Sequence, residues 1–412
     1  MIPLDEAAAY VLERVGPLEA VTMTAGDALG CVVVEPVIAP EPVPPFENSA
    51  MDGYAVRAAD TAGAPVELPV AGTLAAGADP AAFAVAPGTA VRIMTGAAMP
   101  SGADAIVIVE QTVPLDDGSR VRIDATAQPG DHIRAPGTDI ATGATVLAAG
   151  TVVREAHLGV LASIGVHSVT AHRRPRVGVL STGDELVGDG GPLRAGQIRD
   201  SNRAALAPLV RDVGCDVVDL GLVRDDRAAI TEAIGRAAHE CDALLTSGGV
   251  SMGDFDLVKQ VLDDVGDMRW MQIAIRPAKP FAFGLVGERK VPVFGLPGNP
   301  VSSLVSFELF ARPALRRMLG HVDADLARLR VRAVCDDDAC RRRPDGKLHL
   351  ARVIATYDDA DGRVHVASAG GQGSHQLAAM ANANGLALVP DGEGVAPGAE
   401  VDVLLLSLPL SR

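Results

Sequence analysis

The stretch Ala243-Leu-Leu-Thr-Ser-Gly-Gly-Val-Ser-Met-Gly-Asp254 decides how this 412-residue chain is read. Ala243–Leu245 is a short apolar run suited to a fully buried strand, and it stops abruptly at hydroxyls and glycines. Leu257, Val258, Val261, Leu262 and Val265 then recur on one helical face. The same grammar repeats on both sides. Val177-Gly-Val-Leu180 runs into Ser181-Thr-Gly-Asp-Glu-Leu186, and an amphipathic segment follows at 201–213, which Pro208 is expected to kink or delay. A strand through 216–223 leads to Asp225 and Asp226, expected to cap a helix carrying Ile230, Ala233, Ile234 and Ala237 on one face. The strand Val291–Phe294 opens into Gly295-Leu-Pro-Gly-Asn-Pro-Val-Ser302. Strands alternating with helices imply parallel strands and right-handed crossovers, a doubly wound α/β sheet over residues 173–320.

Outside this region the pattern changes. Residues 1–40 read as a helix (Leu4, Ala8, Val11, Leu12, Val15) stopped by Gly16-Pro17, then short strands. They are grouped with residues 133–172, where Leu158, Leu161 and Ile164 share a helical face, as a discontinuous linker domain. Residues 41–132 alternate short apolar runs (66–71, 90–94, 105–109) with glycine turns, and Asp117-Gly118 signals a hairpin, so a small β-rich domain is expected. Residues 321–412 lose the helical period and are expected to form a C-terminal β domain, barrel-like in outline.

Composition narrows the function. The net charge is −16, with 52 acids against 36 Lys and Arg, which disfavours a nucleic-acid binder held by counterion release. No run approaches the roughly 18 apolar residues of a membrane span, and the N-terminus lacks a signal-peptide pattern. Five cysteines (31, 215, 241, 335, 340) form no disulfide framework, and the close pair Cys335/Cys340 has no second pair at zinc spacing. A cytoplasmic protein is expected. There is no H-x-x-x-H spacing, no G-x-S-x-G elbow and no Walker loop.

In a doubly wound sheet, ligands bind beyond the carboxyl ends of the strands. The Ser247-Gly248-Gly249 loop suits backbone approach to an anion, or simply a tight turn with Asp254 capping the next helix. Asn299 as a cap and Pro300 at the first helical position would explain the Pro297–Pro300 loop without any ligand. Ser374-His375, after a glycine-rich run, is another candidate anion nest. The acids say more. Asp184, Glu185, Asp225, Asp226, Asp254 and Asp256 all fall at one end of one sheet, more than capping requires, and beside a phosphate cradle they suit Mg²⁺. Lys259, Arg276 and Lys279 add cations nearby in sequence.

Ser49-Ala-Met-Asp-Gly-Tyr-Ala-Val56, Arg92-Ile-Met-Thr-Gly-Ala97, Ser181–Leu186, Gly196-Gln-Ile-Arg-Asp-Ser-Asn202, Thr246-Ser-Gly-Gly-Val-Ser251 and Gly295–Ser302 occur in this order. Together they resemble the molybdopterin molybdenumtransferase family, which includes the gephyrin E domain. The resemblance implies four domains and a homodimer, with the active site between one subunit's doubly wound domain and its partner's small β domain. It implies Mg²⁺-dependent insertion of molybdate into adenylylated molybdopterin, releasing molybdenum cofactor and AMP. It also implies roles by motif: catalytic Asp52, Asp139, Glu185, Asp225 and Asp256, with Glu185, Asp225 and Asp256 holding the metal. Substrate contacts are implied for Thr95, Ser181, Thr182, Asp184, Ser247, Gly248, Gly249, Ser251, Lys259, Arg276, Lys279, Pro297, Asn299 and Pro300. Arg352 and Ser374 are implied for molybdate. Partners implied are a molybdopterin adenylyltransferase and downstream molybdoenzymes or chaperones, with neither nucleic acid nor membrane.

The chain departs from the family pattern in places. Gln272-Ile-Ala-Ile-Arg-Pro-Ala-Lys-Pro280 stands where lysines and a glycine are usual, so one cation is lost at Gln272 and one becomes Arg276. Ala135-Pro136 and Thr138 replace an arginine and a glutamate. Two other functions fit less of the sequence: a non-catalytic scaffold of the gephyrin kind, and an adenylyltransferase acting one step earlier.

Overall fold

The computed structural model describes residues 1–188, 190–249 and 257–411. Ser251, Asp254 and Asp256 therefore lie outside the described residues. The chain forms two compact units: Met1–Val21 with Gly30–Val34 and Thr170–Arg412, and Thr22–Leu29 with Glu35–Val169.

The larger unit contains the expected sheet. Asp216–Val223, Arg176–Thr182, Ala243–Ser247 and Val291–Leu296 run parallel in that spatial order. The sheet is mixed rather than wholly parallel, because Pro280–Val286 and Gly266–Gln272 add an antiparallel edge. Residues 273–279 link these two strands and residues 287–290 link Pro280–Val286 to Val291–Leu296, neither with a crossover helix, so alternation with helices could not announce them. Register is set by burial on both faces: Val177, Val179, Leu244, Leu245, Val293 and Phe294 are essentially inaccessible. Phe281 stacks on Phe310 with ring centroids 4.3 Å apart, and each such buried ring is worth roughly 2–3 kcal/mol over exposure.

The helix Ser201–Val213 contradicts the reading of Pro208, for it starts at Ser201 and continues through the proline. Leu206, Val210 and Val213 are buried on one face, and tertiary burial outweighs the lost backbone hydrogen bond. Its cap is Asp200, which accepts from the Arg203 N–H. In the helix Arg227–Glu240, Asp226 alone is the cap, accepting from the Ala229 N–H at 2.9 Å. This leaves Asp225 outside the capping scheme. Asn299 precedes the helix Pro300–Ser306 but its side chain makes no capping hydrogen bond, contrary to the sequence expectation, while Pro300 does occupy the first turn.

At the C-terminal end of the larger unit, strands Leu348–Asp358, Arg363–Ser368, Arg330–Cys335, Glu400–Leu405 and Gly385–Val389 pair in sequence around a ring, and the last returns to the first. The result is a closed five-stranded barrel. Val353, Ala355, Val366 and Val403 fill it, with the buried thiols of Cys335 and Cys340 hydrogen-bonded to each other.

The smaller unit is built on a six-stranded sheet that includes Gly53–Val56, Val66–Leu74, Ala90–Ile93 and Ala105–Ile108. Thr112–Leu115 and Arg120–Ile123 form the hairpin expected at Asp117-Gly118. The helix Glu155–Ser163 lies in this unit, with Leu161 buried.

One barrel contact makes stability depend on pH. The His365 ring lies between Asp336 (Nδ1, 2.7 Å) and Asp361 (Nε2, 2.9 Å). The Asp336 hydrogen bond, then that of Asp361, raises its pKa above the usual imidazole value. A raised folded pKa stabilises fully below the unfolded value near about 6.5, and the gain is lost as pH rises through the folded value. Urea midpoints of the parent and His365→Gln should therefore differ most near about pH 6 and converge above about pH 8. A gap that stays constant across that range would contradict this role.

Candidate functional site

The parallel register lines up the polar loops. Ser181 pairs with Ser247, Ser247 with Leu296, and Thr182 with Val223. Four loops thus leave the sheet side by side at its carboxyl edge. Gly248 and Gly249 have φ of +96° and +72°. A Cβ on Gly249 would sit 2.4 Å from the Cβ of Val258, and one on Gly248 would sit 3.2 Å from the Thr182 carbonyl. Only glycine fits this turn, so its backbone is exposed to whatever approaches.

Asp184 and Asp225 face each other from neighbouring loops. The Asp184 N–H donates to Asp225 Oδ2 (3.4 Å), and the Asp225 N–H donates to Asp184 Oδ1 (3.3 Å). Gly183 leaves room for Glu185, whose Oε2 would lie 2.6 Å from a Cβ there. All three acids are exposed. Among the described residues they do not converge as a ready-made ligand set. The group whose ligand atoms lie within 4.8 Å of one another is Asp358, Asp361 and His365, on the barrel hairpin. Asp184 also lines a groove of about 1070 Å³ with Arg194, Arg203 and Arg224.

Ser181 is fully buried and donates to Asp200 at 3.0 Å, so it braces the loop from behind. Thr182 is buried beside it. The Lys259 ammonium lies 5.4 Å from the Trp270 ring centroid. Lys279 is exposed, and its carbonyl accepts from the Ile273 N–H at 2.7 Å. Between Arg276 and Lys279, Ala278 is buried with φ of +73°. That conformation favours glycine, and it costs a Cβ-bearing residue about 1–2 kcal/mol.

The second cluster surrounds Arg352. This side chain is 1% exposed, donating to the carbonyls of Gly371 (2.9 Å) and Gly373 (3.2 Å), while its Nε has no partner among the described residues. Among the described residues, no carboxylate pairs with it. Burial, with Arg276 adding repulsion, pulls its pKa down to about 10. An unpaired buried cation is costly, and an oxyanion would satisfy it. A cavity of about 530 Å³ opens there, lined by Arg276, Arg341, Arg342, Arg343, His349 and Arg352 among others. Burial pushes the Asp345 carboxyl up, but His349, Lys347 and Arg342 outweigh it and hold it at about 2. Arg342 and Lys347 are thus engaged with Asp345, at 2.7 and 3.4 Å.

The two clusters meet at one helix. The Val301 N–H donates to the Ser374 carbonyl at 3.1 Å, and Ser302 Oγ accepts from the Ala278 N–H at 3.4 Å. The Pro297-Gly-Asn299 loop therefore adjoins both the glycine loop and the Arg352 region. Sequence reading missed Gln372, whose amide clamps the Arg352 backbone in both directions (2.9 and 3.0 Å). It also quoted Asn202 without giving it a role.

In the smaller unit, Asp52 Oδ1 accepts from both the Thr95 N–H (2.7 Å) and the Thr95 hydroxyl (2.8 Å). The Thr95 N–H, then its hydroxyl, lowers the Asp52 pKa below the ordinary value. Asp139 lines a separate cavity of about 540 Å³ with Asn48, Gly96, Arg134 and Thr138.

Comparison with known proteins covers nearly the whole chain. Residues 2–165 match the MoeA N-terminal region (domains I and II), 178–317 a probable molybdopterin binding domain, and 339–406 the MoeA C-terminal region (domain IV). The chain is 41% identical to molybdopterin molybdenumtransferase 2 of Mycobacterium tuberculosis, covering 98% of this chain and 99% of that one. It is 38% identical to the molybdopterin molybdenumtransferase of Haemophilus influenzae, covering 93% of each. A molybdopterin biosynthesis moeA protein from Pyrococcus horikoshii superposes with a TM-score of 0.77 at 28% identity, over 98% of this chain and 100% of that chain.

The glycine geometry gives a direct test. Gly249→Ala is expected to lose about 1–3 kcal/mol in denaturant unfolding, because its methyl overlaps Val258. An unchanged midpoint would show that the turn has space the structure denies it.

Proposed function

The chain belongs to the MoeA family and is a molybdopterin molybdenumtransferase, and from that premise we propose how its two clusters divide the work. The glycine loop holds the phosphate of adenylylated molybdopterin, the Arg352 cavity holds molybdate, and the reaction releases AMP. The observation that carries this is Arg352, a buried guanidinium whose Nε has no hydrogen-bond partner, and which has no carboxylate partner, among the described residues. Its donor array suits a compact oxyanion. Arg276, more than half exposed at the mouth of the same cavity, adds charge where a planar fork replaces the usual lysine.

The exposed carboxylates Asp184, Glu185 and Asp225 offer hard oxygen donors at the edge of the glycine loop. This chemistry fits Mg²⁺, which takes few protein ligands and completes its shell with phosphate oxygens and water. Glu185 and Asp225 would hold it, joined by Asp256. When bound, the ion would neutralise charge on the phosphate and polarise it. The protein's own part is positional. The reciprocal Asp184–Asp225 hydrogen bonds fix the two loops, and Gly248 and Gly249 present backbone rather than side chains. Asp52, kept ionised by its two Thr95 donors, is a fixed negative charge or proton acceptor for the same reaction.

We further propose that the protein works as a cytoplasmic homodimer and receives its substrate from an adenylyltransferase. Among the described residues, no helix is long and apolar enough to cross a membrane. The acids argue for catalysis over a scaffold. Asp225 is not the cap of its helix, and among the described residues neither Asp225 nor Asp52 forms an ion pair, although each accepts from a neighbouring loop.

Three substitutions test this reading in reconstitution of a molybdoenzyme from adenylylated molybdopterin and molybdate. Asp225→Ala and Asp52→Ala should fold and lose at least about 100-fold in rate. Full activity in both would overturn the assignment. Arg352→Met should fold with a stability change within about 3 kcal/mol, because loss of a costly buried charge offsets loss of its hydrogen bonds to the Gly371 and Gly373 carbonyls, yet should no longer respond to molybdate. Normal molybdate dependence in that variant would place the oxyanion elsewhere.

A further inference from the structure

Asn202 stands where the two glycine loops come together. It occupies the second position of the helix Ser201–Val213. Its Nδ2 donates both protons, one to Ser247 Oγ at 2.6 Å and one to the Gly298 carbonyl at 2.8 Å. Its Oδ1 is buried and has no partner among the described residues. The reverse orientation of the amide would set Oδ1 against the Gly298 carbonyl, oxygen to oxygen. The observed orientation instead leaves one acceptor unsatisfied, an arrangement that normally costs stability.

Two consequences follow for the cradle. Ser247 Oγ accepts from Asn202, and its own proton has no acceptor among the described residues. A hydroxyl that already accepts is free to donate. The Gly298 carbonyl, which would repel an anion, is engaged by an N–H. Both effects act beside Gly249, while the neighbouring Gly248 N–H is held by the Leu296 carbonyl at 3.1 Å.

We infer that Asn202 is a positioning residue that makes the strand-end cradle a purely donating surface for the substrate's phosphate. It does so by occupying the acceptor side of the buried Ser247 hydroxyl, which leaves its proton to donate, and by masking the Gly298 carbonyl. The inference rests on the assignment of the phosphate to this loop. It assigns to Asn202 no contact with substrate: the side chain acts through Ser247 and Gly298. The orphaned Oδ1 is then the structural cost of holding the amide in the donating orientation.

The test uses the full-length protein, with AMP as the probe for the phosphate subsite. Calorimetric titration gives the AMP dissociation constant, steady-state reconstitution gives KM and kcat, and thermal melting reports the fold. Asn202→Ala should weaken AMP binding and raise KM for adenylylated molybdopterin roughly tenfold, leaving kcat within about twofold. Asn202→Asp keeps the shape of the side chain and should weaken AMP further, since a carboxylate cannot donate and adds negative charge. It also serves if the alanine variant does not fold. Adding Asn202→Ala to Ser247→Ala should cost much less than on the parent background, because both act through one hydroxyl.

Unchanged AMP affinity in Asn202→Ala and Asn202→Asp, with only the melting temperature reduced, would overturn the inference. So would independent, multiplying effects of the two substitutions. Failure of the unmodified protein to bind AMP would instead overturn the phosphate assignment, and the inference with it.

Discussion

The parallel pairing of Arg176–Thr182 with Ala243–Ser247, and of that strand with Val291–Leu296, is the constraint on which the rest depends. A one-residue slip would exchange the two faces of any strand. With both faces packed against apolar layers, the register holds, and Ser181, Ser247 and Leu296 end at one level. Every polar loop of the sheet therefore starts from the same edge. The reciprocal Asp184–Asp225 contacts and the Asn202 links to Ser247 and Gly298 are possible only because of that alignment.

Electrostatics resolves what first looks like a contradiction. A chain with net charge −16 acts on a substrate and an oxyanion that are both negative. The global charge is spread over a solvated surface, where screening weakens it within about 10 Å. Local arrangement wins at short range. The Arg352 guanidinium is buried among backbone carbonyls, and that burial, with Arg276 adding repulsion, lowers its pKa. Its burial is unfavourable for folding, and it is the kind of strain that functional sites retain.

Much of this was legible in sequence, for physical reasons that differ by element. Strands such as Ala243–Ser247 announce themselves because a buried parallel strand is a continuous apolar run, and the glycines after it mark a turn no other residue fits. The antiparallel pair Gly266–Gln272 and Pro280–Val286 was invisible, since Trp270, Gln272 and Pro280 break any clean alternation. Pro208 misled because local propensity was outweighed by burial of its helix face. Of the site, the acids could be read from their number, as capping used only Asp226 among the acids of its loop. Burial of Arg352, the Gln372 clamp and the two donors of Asn202 depend on contacts distant in sequence. Pattern alone does not carry them, and family resemblance supplied Arg352 without supplying its environment.

The most direct test of the account is a crystal of the protein soaked with AMP, Mg²⁺ and tungstate, the last as a heavy stand-in for molybdate with strong anomalous scattering. The account predicts an anomalous peak within hydrogen-bonding reach of Arg352 Nε, and AMP phosphate density at Ser247–Gly249. An ordered tungstate peak elsewhere, with the Arg352 cavity holding only water, would contradict it.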